Sequence, residues 1–528
     1  MNKIAIYLNR HLTGNVFDKD SILEAYSTDR SILKIKPRLV ALPESTSDIR
    51  KLVRFVNQLA VKNYNLPLAV RGSGLDPTGA DLTSGLLIST EKLNKLRELD
   101  AHDRLVHVQS GVTLGQLNSV LAPHGLFLPV NADPRETIGS LIASAPTDSF
   151  SGKYGGIMNY IDRVEFVLPN GDLVQTSRIF GGKLKSKKKD KKEGALYSDL
   201  DDLILENKDL LLELEKSPKK SGYPGLKHVK RNNGRVFDLL PVLYGSQGTL
   251  GIISEVILRL EVLPPRPHRL LAVFNSFRTT KEFLDYAKTL NPLELNFYDL
   301  RLVKSVEDFG KKPELLSKKF DEGFLVLVSF NDKSRVSRKK IKKCLKFLPK
   351  NAYTVPETLK NSDSFAELSS MLSSFLNDSA KGERVPLAND FYLPEASLPD
   401  FLSDLKSLEK DLKLDLALFG SFSSDNYSLR PDFKLDSLDD RRKAMNFLKS
   451  LNDLLEKSSG SLNGGLPEGR IRAIISNPTL PKEEKALYEK VKEIFDENHI
   501  LAPDIKLGAD TRATIRALRS SPLPKIIS

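Results

Sequence analysis

The segment best suited to chemistry is a glycine-containing loop directly after a short predicted strand. The strand is Leu66–Val70, and Arg71, Gly72, Ser73 and Gly74 follow it. Glycines let a backbone approach a ligand closely, and successive N–H groups can form a nest that binds an anion. No helix opens immediately behind the loop, so the pattern differs from a dinucleotide-binding βαβ fingerprint. Taken alone, the loop is either a phosphate-binding nest or an ordinary turn.

Three further glycine segments come later in the chain. They are Asp133 to Ser140 (DPRETIGS), Ser151 to Gly155 (SGKYG) and Tyr244 to Glu255 (YGSQGTLGIISE). Their order and spacing, together with the first loop, resemble the FAD-linked oxidase family. This is the vanillyl-alcohol-oxidase or PCMH type of flavoprotein, here in its D-lactate, glycolate and 2-hydroxyglutarate dehydrogenase branch. The resemblance runs from about Tyr26 to Gly508.

The resemblance implies an α+β fold: a two-subdomain PCMH-type FAD-binding domain followed by a substrate domain of antiparallel sheet plus helices. The implied boundaries are a helical lead-in at 1–36, the FAD-binding domain at 37–263 and the substrate domain at 264–528. An insert at about 183–225 interrupts the FAD-binding domain. It contains a lysine-rich stretch and then a leucine-rich helix predicted from about Leu196 to Leu214.

If the family's roles carry over, four groups of residues hold FAD. The pyrophosphate lies on Arg71, Gly72, Ser73, Gly74 and Leu75, with Asp76, Thr78 and Gly79 completing the loop. The flavin ring and diphosphate are lined by Pro134, Thr137, Ile138, Gly139 and Ser140, with help from Ser151 and Tyr154. Backbone at Gly251, Ile252 and Ile253 holds the adenine side. Members that tether the flavin through histidine place it just after the glycine loop, where this chain has Leu75, so we expect non-covalent FAD.

The substrate domain departs from the family's pattern. The family reads Gly-His-x-x-x-Gly-Asn-x-His-x-x-Pro and then Glu-His-Gly-Asp-Gly-Arg. In the family, two of these imidazoles and the carboxylate hold a divalent metal, and the remaining histidine takes the hydroxyl proton of a 2-hydroxy acid. Here the two histidine positions of the first motif are Ser421 and Ser428, and the acid and imidazole of the second are Gly465 and Leu466. No histidine occurs between His268 and His499. We therefore expect no metal site of this kind.

Two interpretations of the function stay open. One is an FAD-dependent oxidoreductase that acts on CH–OH groups with altered or reduced activity, and the other is a non-catalytic flavin-binding scaffold. The remaining catalytic candidates at or beside the matching positions are Tyr427, Arg430, Glu468 and Arg470. Neither the substrate nor the electron acceptor can be named from these residues.

Helices and strands are predicted between and after these segments. Ser45 caps a helix with apolar residues from Ile49 to Leu59, Thr113 begins a second helix that ends at Gly125, and Asn170-Gly171 marks a hairpin. Beyond the prolines at 264–267, longer helices are predicted at Thr280–Thr289, Arg335–Phe347, Leu398–Lys410, Arg441–Lys457 and Lys482–Asn498. Single strands between them suit an antiparallel sheet covered on one face by helices.

Charge and cysteine content limit which other classes of protein the chain could belong to. The single cysteine, Cys344, excludes an internal disulfide framework and a thiolate zinc or iron–sulfur site held by this chain alone, and favours the cytoplasm. No apolar run matches a signal peptide or a membrane span. The net charge of +12 is concentrated at Lys183–Lys192 and Lys333–Lys346. We expect a solvated loop and a solvated helix face; contact of Lys183–Lys192 with an anionic membrane or nucleic acid is the alternative, with a location peripheral to the membrane.

Overall fold

A computed structural model describes residues 3–232, 234–308, 315, 320, 322–350, 352–377, 387–431, 433 and 435–519. The chain folds into two compact units. The first draws on Met1–Pro146, Ile157–Glu261 and Leu466–Arg519, and the second on Thr147–Gly156 and Val262–Gly465. No helix among the described residues is both long and apolar enough to cross a membrane.

The strands are β1 (Asn15–Phe17), β2 (Leu39–Leu42), β3 (Leu68–Arg71), β4 (Leu86–Ser89), β5 (Leu96–Asp100), β6 (Leu105–Gln109), β7 (Leu126–Phe127), β8 (Ile161–Val167), β9 (Leu173–Gln175), β10 (Ile179–Phe180), β11 (Lys230–Arg231), β12 (Val236–Phe237), β13 (Ile252–Arg259), β14 (Glu261–Val262), β15 (His268–Phe274), β16 (Glu294–Asp299), β17 (Phe324–Phe330), β18 (Tyr353–Pro356), β19 (Ala388–Tyr392), β20 (Leu418–Ser421) and β21 (Asn426–Leu429).

The α-helices are α1 (Lys3–Asn9), α2 (Asp20–Ala25), α3 (Thr46–Val61), α4 (Leu114–Leu121), α5 (Ile138–Ser144), α6 (Ser151–Tyr154), α7 (Lys183–Lys187), α8 (Gly194–Glu206), α9 (Lys208–Glu215), α10 (Phe277–Lys288), α11 (Leu300–Asp308), α12 (Ser334–Phe347), α13 (Ser362–Asn377), α14 (Leu398–Leu412), α15 (Leu438–Lys457), α16 (Ala473–Ser476), α17 (Lys482–Phe495) and α18 (Thr511–Ala517).

The first unit is built on two main sheets. One has the order β1-β2-β4-β3, with parallel pairing of β2, β4 and β3, and the other is antiparallel with the order β5-β6-β13-β8-β9. Helix α3 begins after Ser45, whose side chain accepts a hydrogen bond from Asp48 N, as predicted. Its apolar side packs on the first sheet in a core that also contains Leu501. The predicted hairpin is confirmed, because β8 and β9 pair around Gly171.

The insert differs from its prediction in two places. The leucine-rich helix is split at Asn207 into α8 and α9. The lysine-rich stretch, predicted as a loop, begins with the short helix α7. Ion pairs of Lys187 with Glu193 and of Lys188 with Asp201 fix it to the following helix, which explains why part of it is helical.

The second unit contains a seven-stranded antiparallel sheet with the order β18-β15-β17-β16-β20-β21-β19. The expectation that helices cover only one face is wrong. Phe274 meets Phe283 of α10, whereas Val273, which points to the opposite face, packs in a cluster with Phe365 of α13. Helix α13 was not predicted, because serines interrupt its apolar residues.

The sequence-based boundaries divide the chain differently from the two units. Leu466–Arg519 was assigned to the range 264–528, yet it packs in the first unit. Backbone of Leu68 in β3 pairs with Ile500 and Ala502, and α17 packs on α8. The assignment of a function to each range stays a prediction.

Candidate functional site

The glycine loop lies against the beginning of α5. A Cβ atom added to Gly72 would fall 2.4 Å from Thr137 Oγ1 and 3.2 Å from Ser140 Cβ, so only glycine fits this contact. Thr137 is the N-cap of α5, and its Oγ1 accepts from Ser140 N at 3.3 Å. Gly139 N donates to Ser110 O at 2.8 Å, which holds α5 on the segment after β6. The structure thus brings the first two glycine segments together.

Two hydroxyls beside this contact have no partner among the described residues. They are Ser73 Oγ and Ser110 Oγ, both shielded from solvent. A buried hydroxyl without a partner is costly unless a ligand or water completes it. Together with the glycine loop, they make a cradle whose donor set fits the diphosphate of a dinucleotide.

The backbone of Arg71 belongs to this cradle, whereas its charged guanidinium group binds elsewhere in the first unit. Its guanidinium donates to Thr28 O at 2.8 Å and lies 5.4 Å from the centre of the Tyr26 ring. Gly74 has a φ of +71°, and a Cβ there would collide with the Arg71 guanidinium. The Arg71 side chain therefore holds the segment before β2 in place.

Gln247 forms hydrogen bonds to three distant segments of the first unit, and it is not among the site residues predicted from the sequence. Its Nε2 donates to Thr78 Oγ1 at 3.1 Å and its Oε1 accepts from Gly469 N at 2.9 Å. Its backbone N donates to Ala143 O at 3.0 Å. The signal was available, because Gln247 lies in the glycine segment of Tyr244 to Glu255.

Two carboxylates, those of Asp76 and Asp81, follow the glycine loop in the chain. Thr78 donates from its N and Oγ1 to Asp76 Oδ1. Desolvation, and then the charge of Asp29, raise the pKa of Asp76 to about 6, although the Thr78 hydrogen bonds oppose the shift. Desolvation and Asp29 also raise the pKa of Asp81 well above its ordinary value, against the nearby Arg71. Gly79, next along the loop, is buried with a φ of +75°.

The other predicted FAD residues are spread over both units. Gly251, Ile252 and Ile253 are buried at the start of β13, and Leu75 is 7% exposed. Pro134 is exposed, while Ile138 is fully buried in α5.

Ser151 and Tyr154 belong to the second unit, whereas the other predicted FAD residues belong to the first. They lie in α6, where Ser151 Oγ accepts from Asp148 N at 3.0 Å and Tyr154 OH accepts from Asn331 at 2.8 Å.

In the second unit, the serines at the family's histidine positions are buried. Ser428 Oγ accepts from Asp390 N at 2.8 Å, and Ser421 Oγ lies 3.2 Å from Ser423 Oγ. Gly465 N donates to Asp390 O at 2.9 Å, and a Cβ at Gly465 would fall 2.2 Å from that oxygen and 2.3 Å from Asn426 Oδ1. A larger residue at Gly465 has no space.

The four catalytic candidates are all buried. Tyr427 is 0% exposed beside the rings of Phe297 and Phe391, and burial raises its pKa well above the ordinary value. Arg430 is also buried.

The other two candidates have structural partners in the first unit. Glu468 pairs with Lys506, while Arg470 donates to Leu82 O and pairs with Asp504 at 2.6 Å. Through these contacts the Glu468 and Arg470 side chains hold segments of the first unit together.

Among the described residues, Asp100, His102 and Asp103 bring three possible metal-ligand atoms within 4.8 Å of one another. All three are exposed on the first unit. In the part of the chain that the structure describes, no such group occurs at Ser421, Ser428 or Gly465.

Family models match two parts of the chain. The FAD binding domain matches residues 37–177, and the C-terminal domain of FAD linked oxidases matches residues 263–505.

Curated relatives are similar at low identity. D-2-hydroxyglutarate dehydrogenase of Escherichia coli is 26% identical, over 90% of this chain and 49% of its own length. Glycolate oxidase subunit GlcD of Bacillus subtilis is 21% identical over 92% of both chains. D-lactate dehydrogenase of Archaeoglobus fulgidus is 23% identical over 91% of this chain and 95% of its own. The chain spans about half the length of the D-2-hydroxyglutarate dehydrogenases it matches first.

Solved structures share the fold. p-Cresol methylhydroxylase has a TM-score of 0.64 at 12% identity, covering 94% of both chains. Alkyldihydroxyacetonephosphate synthase has a TM-score of 0.62 at 17% identity, covering 92% of this chain and 82% of the other. The α+β, PCMH-type fold is thereby confirmed. The chain belongs to the FAD-linked oxidase family and carries its FAD-binding domain.

Proposed function

We propose that the chain binds FAD non-covalently and is an oxidoreductase related to the D-lactate and other 2-hydroxy acid dehydrogenases, working without a metal and with altered or reduced activity. One contrast carries this proposal. The cradle of Gly72, Thr137 and Ser73 Oγ fits a diphosphate, whereas buried Ser421, Ser428 and Gly465 take the places of the family's metal and base residues.

Non-covalent binding is supported by Leu75. A flavin tether requires a nucleophilic or ring-nitrogen side chain, and an alkyl group offers neither. Leu75 is also buried, so it packs in the core of the first unit. The FAD therefore depends on the cradle and the loop for its affinity.

The metal-free site is supported by the donor set. Divalent metals in this kind of chemistry use imidazole and carboxylate ligands. Ser428 Oγ already accepts from Asp390 N, and Asp390 O and Asn426 Oδ1 leave no space for a carboxylate side chain at Gly465. These positions can hold neither the metal nor the base.

Bound FAD supplies a ring that accepts a hydride from a substrate carbon. Loss of general base catalysis lowers the rate by about 10²–10⁴-fold. We therefore expect slow oxidation of ordinary 2-hydroxy acids and infer a substrate that needs no imidazole to release its proton. A cytoplasmic location is part of the proposal, supported by the single, buried Cys344.

The second candidate function is a non-catalytic flavin-binding scaffold. It is favoured by the same buried serines and by the structural contacts of Glu468 and Arg470. The two candidates share flavin binding and differ only in turnover.

The visible spectrum of the purified protein tests both. We expect bound flavin that denaturation with acid releases into the supernatant. Anaerobic bleaching by D-lactate, D-2-hydroxyglutarate, glycolate or another alcohol would support the enzyme, and flavin inert to a wide panel would support the scaffold. Flavin retained in the acid pellet would contradict non-covalent binding, and a protein that takes up no FAD would overturn both candidates.

A further inference from the structure

Helix α12 presents an uninterrupted row of cations to solvent, which we call the basic face. Its members, all exposed, are Arg335, Arg338, Lys339, Lys342, Lys343 and Lys346. At 100° per residue they fall within about 140° of the helix circumference, and the 14-residue helix is about 21 Å long. The buried residues Ser337, Ile341 and Cys344 lie on the opposite side. The basic face therefore points directly away from the core.

The charge of the basic face is not neutralised within the described chain. The sequence from Lys333 to Lys350 contains no Asp or Glu. Among the described residues, none of the six cations forms an ion pair; Lys340, between them, pairs with Asp332. The adjacent helix α10 offers Glu282 and Asp285, which already pair with cations of their own helix.

The segment Lys183–Lys192 is a weaker candidate for an anionic partner. Asp190 interrupts it. Lys187 pairs with Glu193, and Lys188 pairs with Asp201 and Asp202. Contact of this segment with a membrane or nucleic acid stays a prediction.

Two exposed apolar side chains lie along one side of the basic face. Val336 is 42% and Phe347 is 45% exposed. By helical position both lie beside the cationic arc rather than opposite it. The Phe347 ring stacks on Tyr286 with centroids 4.2 Å apart, which leaves its edge at the surface. A row of cations with an apolar margin suits a bilayer surface, where lysines meet lipid headgroups and apolar groups enter the interface.

We propose that the basic face of α12 docks the protein on the anionic surface of a lipid bilayer. Each Lys or Arg near such a surface adds to the attraction, and the sum falls off with distance and salt. Single-stranded nucleic acid is less favoured, because the Phe347 ring beside the face already stacks on Tyr286 and does not offer that face to a base. This inference concerns a surface of the second unit and does not depend on flavin binding.

The test compares two variants with equal loss of charge. The first carries Arg335, Lys339, Lys342, Lys343 and Lys346→Gln, and the matched control carries Lys183, Lys185, Lys189, Lys191 and Lys192→Gln; each lowers the net charge of +12 by five. Full-length protein is sedimented with vesicles of phosphatidylcholine, with or without phosphatidylglycerol. Glutamine is a good helix former, and melting temperatures check that both variants fold.

We expect the wild type and the control to sediment only with phosphatidylglycerol vesicles, and less at high salt. The α12 variant should lose at least about a hundredfold in partition coefficient. A variant with Lys339, Lys342, Lys343 and Lys346→Arg should bind like the wild type. If the five-site variant fails to fold, Lys342, Lys343 and Lys346→Gln carry the same test.

Three results would overturn the proposal. One is equal binding to vesicles without phosphatidylglycerol. Another is loss of binding in the control rather than in the α12 variant, which would assign the contact to Lys183–Lys192. The third is displacement from vesicles by duplex RNA at matched phosphate concentration, which would indicate a nucleic-acid surface.

Discussion

The Glu468 carboxylate lies 3.2 Å from the Lys506 ammonium, and the side chains are 0% and 2% exposed. The pair also binds both backbone groups of one residue: Glu468 accepts from Gly222 N at 2.7 Å, and Lys506 donates to Gly222 O at 2.9 Å. Gly222 lies within the predicted insert at about 183–225, after α9. This buried pair therefore fastens the insert to the C-terminal segment of the first unit.

Lys506→Met should lower the free energy of unfolding by about 3–5 kcal/mol, because it leaves the buried Glu468 carboxylate without its counter-charge. The double variant Glu468→Gln, Lys506→Met should recover part of the loss. Urea unfolding measures both. Lys485→Met removes an exposed pair with Glu489 and should cost under about 1 kcal/mol. Equal losses in Lys506→Met and Lys485→Met would refute a fastening role for the pair.

Asp76 should make stability fall as pH rises through the acidic range. Desolvation, followed by the charge of Asp29, raises its folded-state pKa from 3.8 to about 6. Between these values the folded state keeps a proton that the unfolded state has lost, so ionisation destabilises the fold. Asp76→Asn can still accept from Thr78. We expect it to be more stable than the wild type above about pH 6, by up to about 3 kcal/mol, with no gain near about pH 4.

Urea unfolding over a pH series measures this effect. Asp411→Asn, a change at an exposed position on α14, is the control and should leave the pH profile unchanged. A constant difference between Asp76→Asn and the wild type at every pH would contradict a raised pKa.

Gly72→Ala should weaken FAD binding. Its methyl group would lie 2.4 Å from Thr137 Oγ1, so the loop must move away from α5. Overpacking of this kind costs about 1–3 kcal/mol, and a loss of that size in binding corresponds to roughly 5- to 160-fold in the dissociation constant. Gly182→Ala adds a methyl group with no atom within 4 Å and should bind FAD normally. Fluorescence titration with FAD compares the two variants. Equal affinities of Gly72→Ala and Gly182→Ala would contradict a role of the cradle in FAD binding.

Gly465→Ala should destabilise the second unit by about 1–3 kcal/mol, because its methyl group would collide with Asp390 O and Asn426 Oδ1. Gly156→Ala, with no atom within 4 Å, is the control in the same unit. Thermal unfolding compares the two.

The same lack of space predicts that putting back the family's side chains will not restore a metal site. We expect the combined variant Ser421→His, Ser428→His, Gly465→Glu and Leu466→His to show no gain in D-lactate oxidation with added divalent metal. A folded variant that gained this activity would show that the site still has space for the family's side chains, and would contradict the argument from Gly465.

Local signals in the sequence predicted local structure well. Ser45 and Thr113 are helix caps, Gly125 ends its helix in the left-handed region, and the hairpin turns at Gly171. Such features depend on a few neighbouring residues, so composition and spacing suffice. Ser421 and Ser428, at the positions where the resemblance would place histidine, can likewise be read from the chain alone.

Long-range contacts decided the rest. Gly222 meets Glu468 across 246 residues, and Gln247 meets Thr78 across 169. No periodicity encodes which distant backbone group a buried side chain will satisfy, since that depends on how distant segments of the first unit pack together. The sequence by itself determined the order of the glycine motifs and the absence of histidine between His268 and His499. Only the tertiary structure showed the buried partners of Glu468 and Arg470 and the lack of space for a side chain at Gly465, because burial and steric contact exist only once the chain is packed.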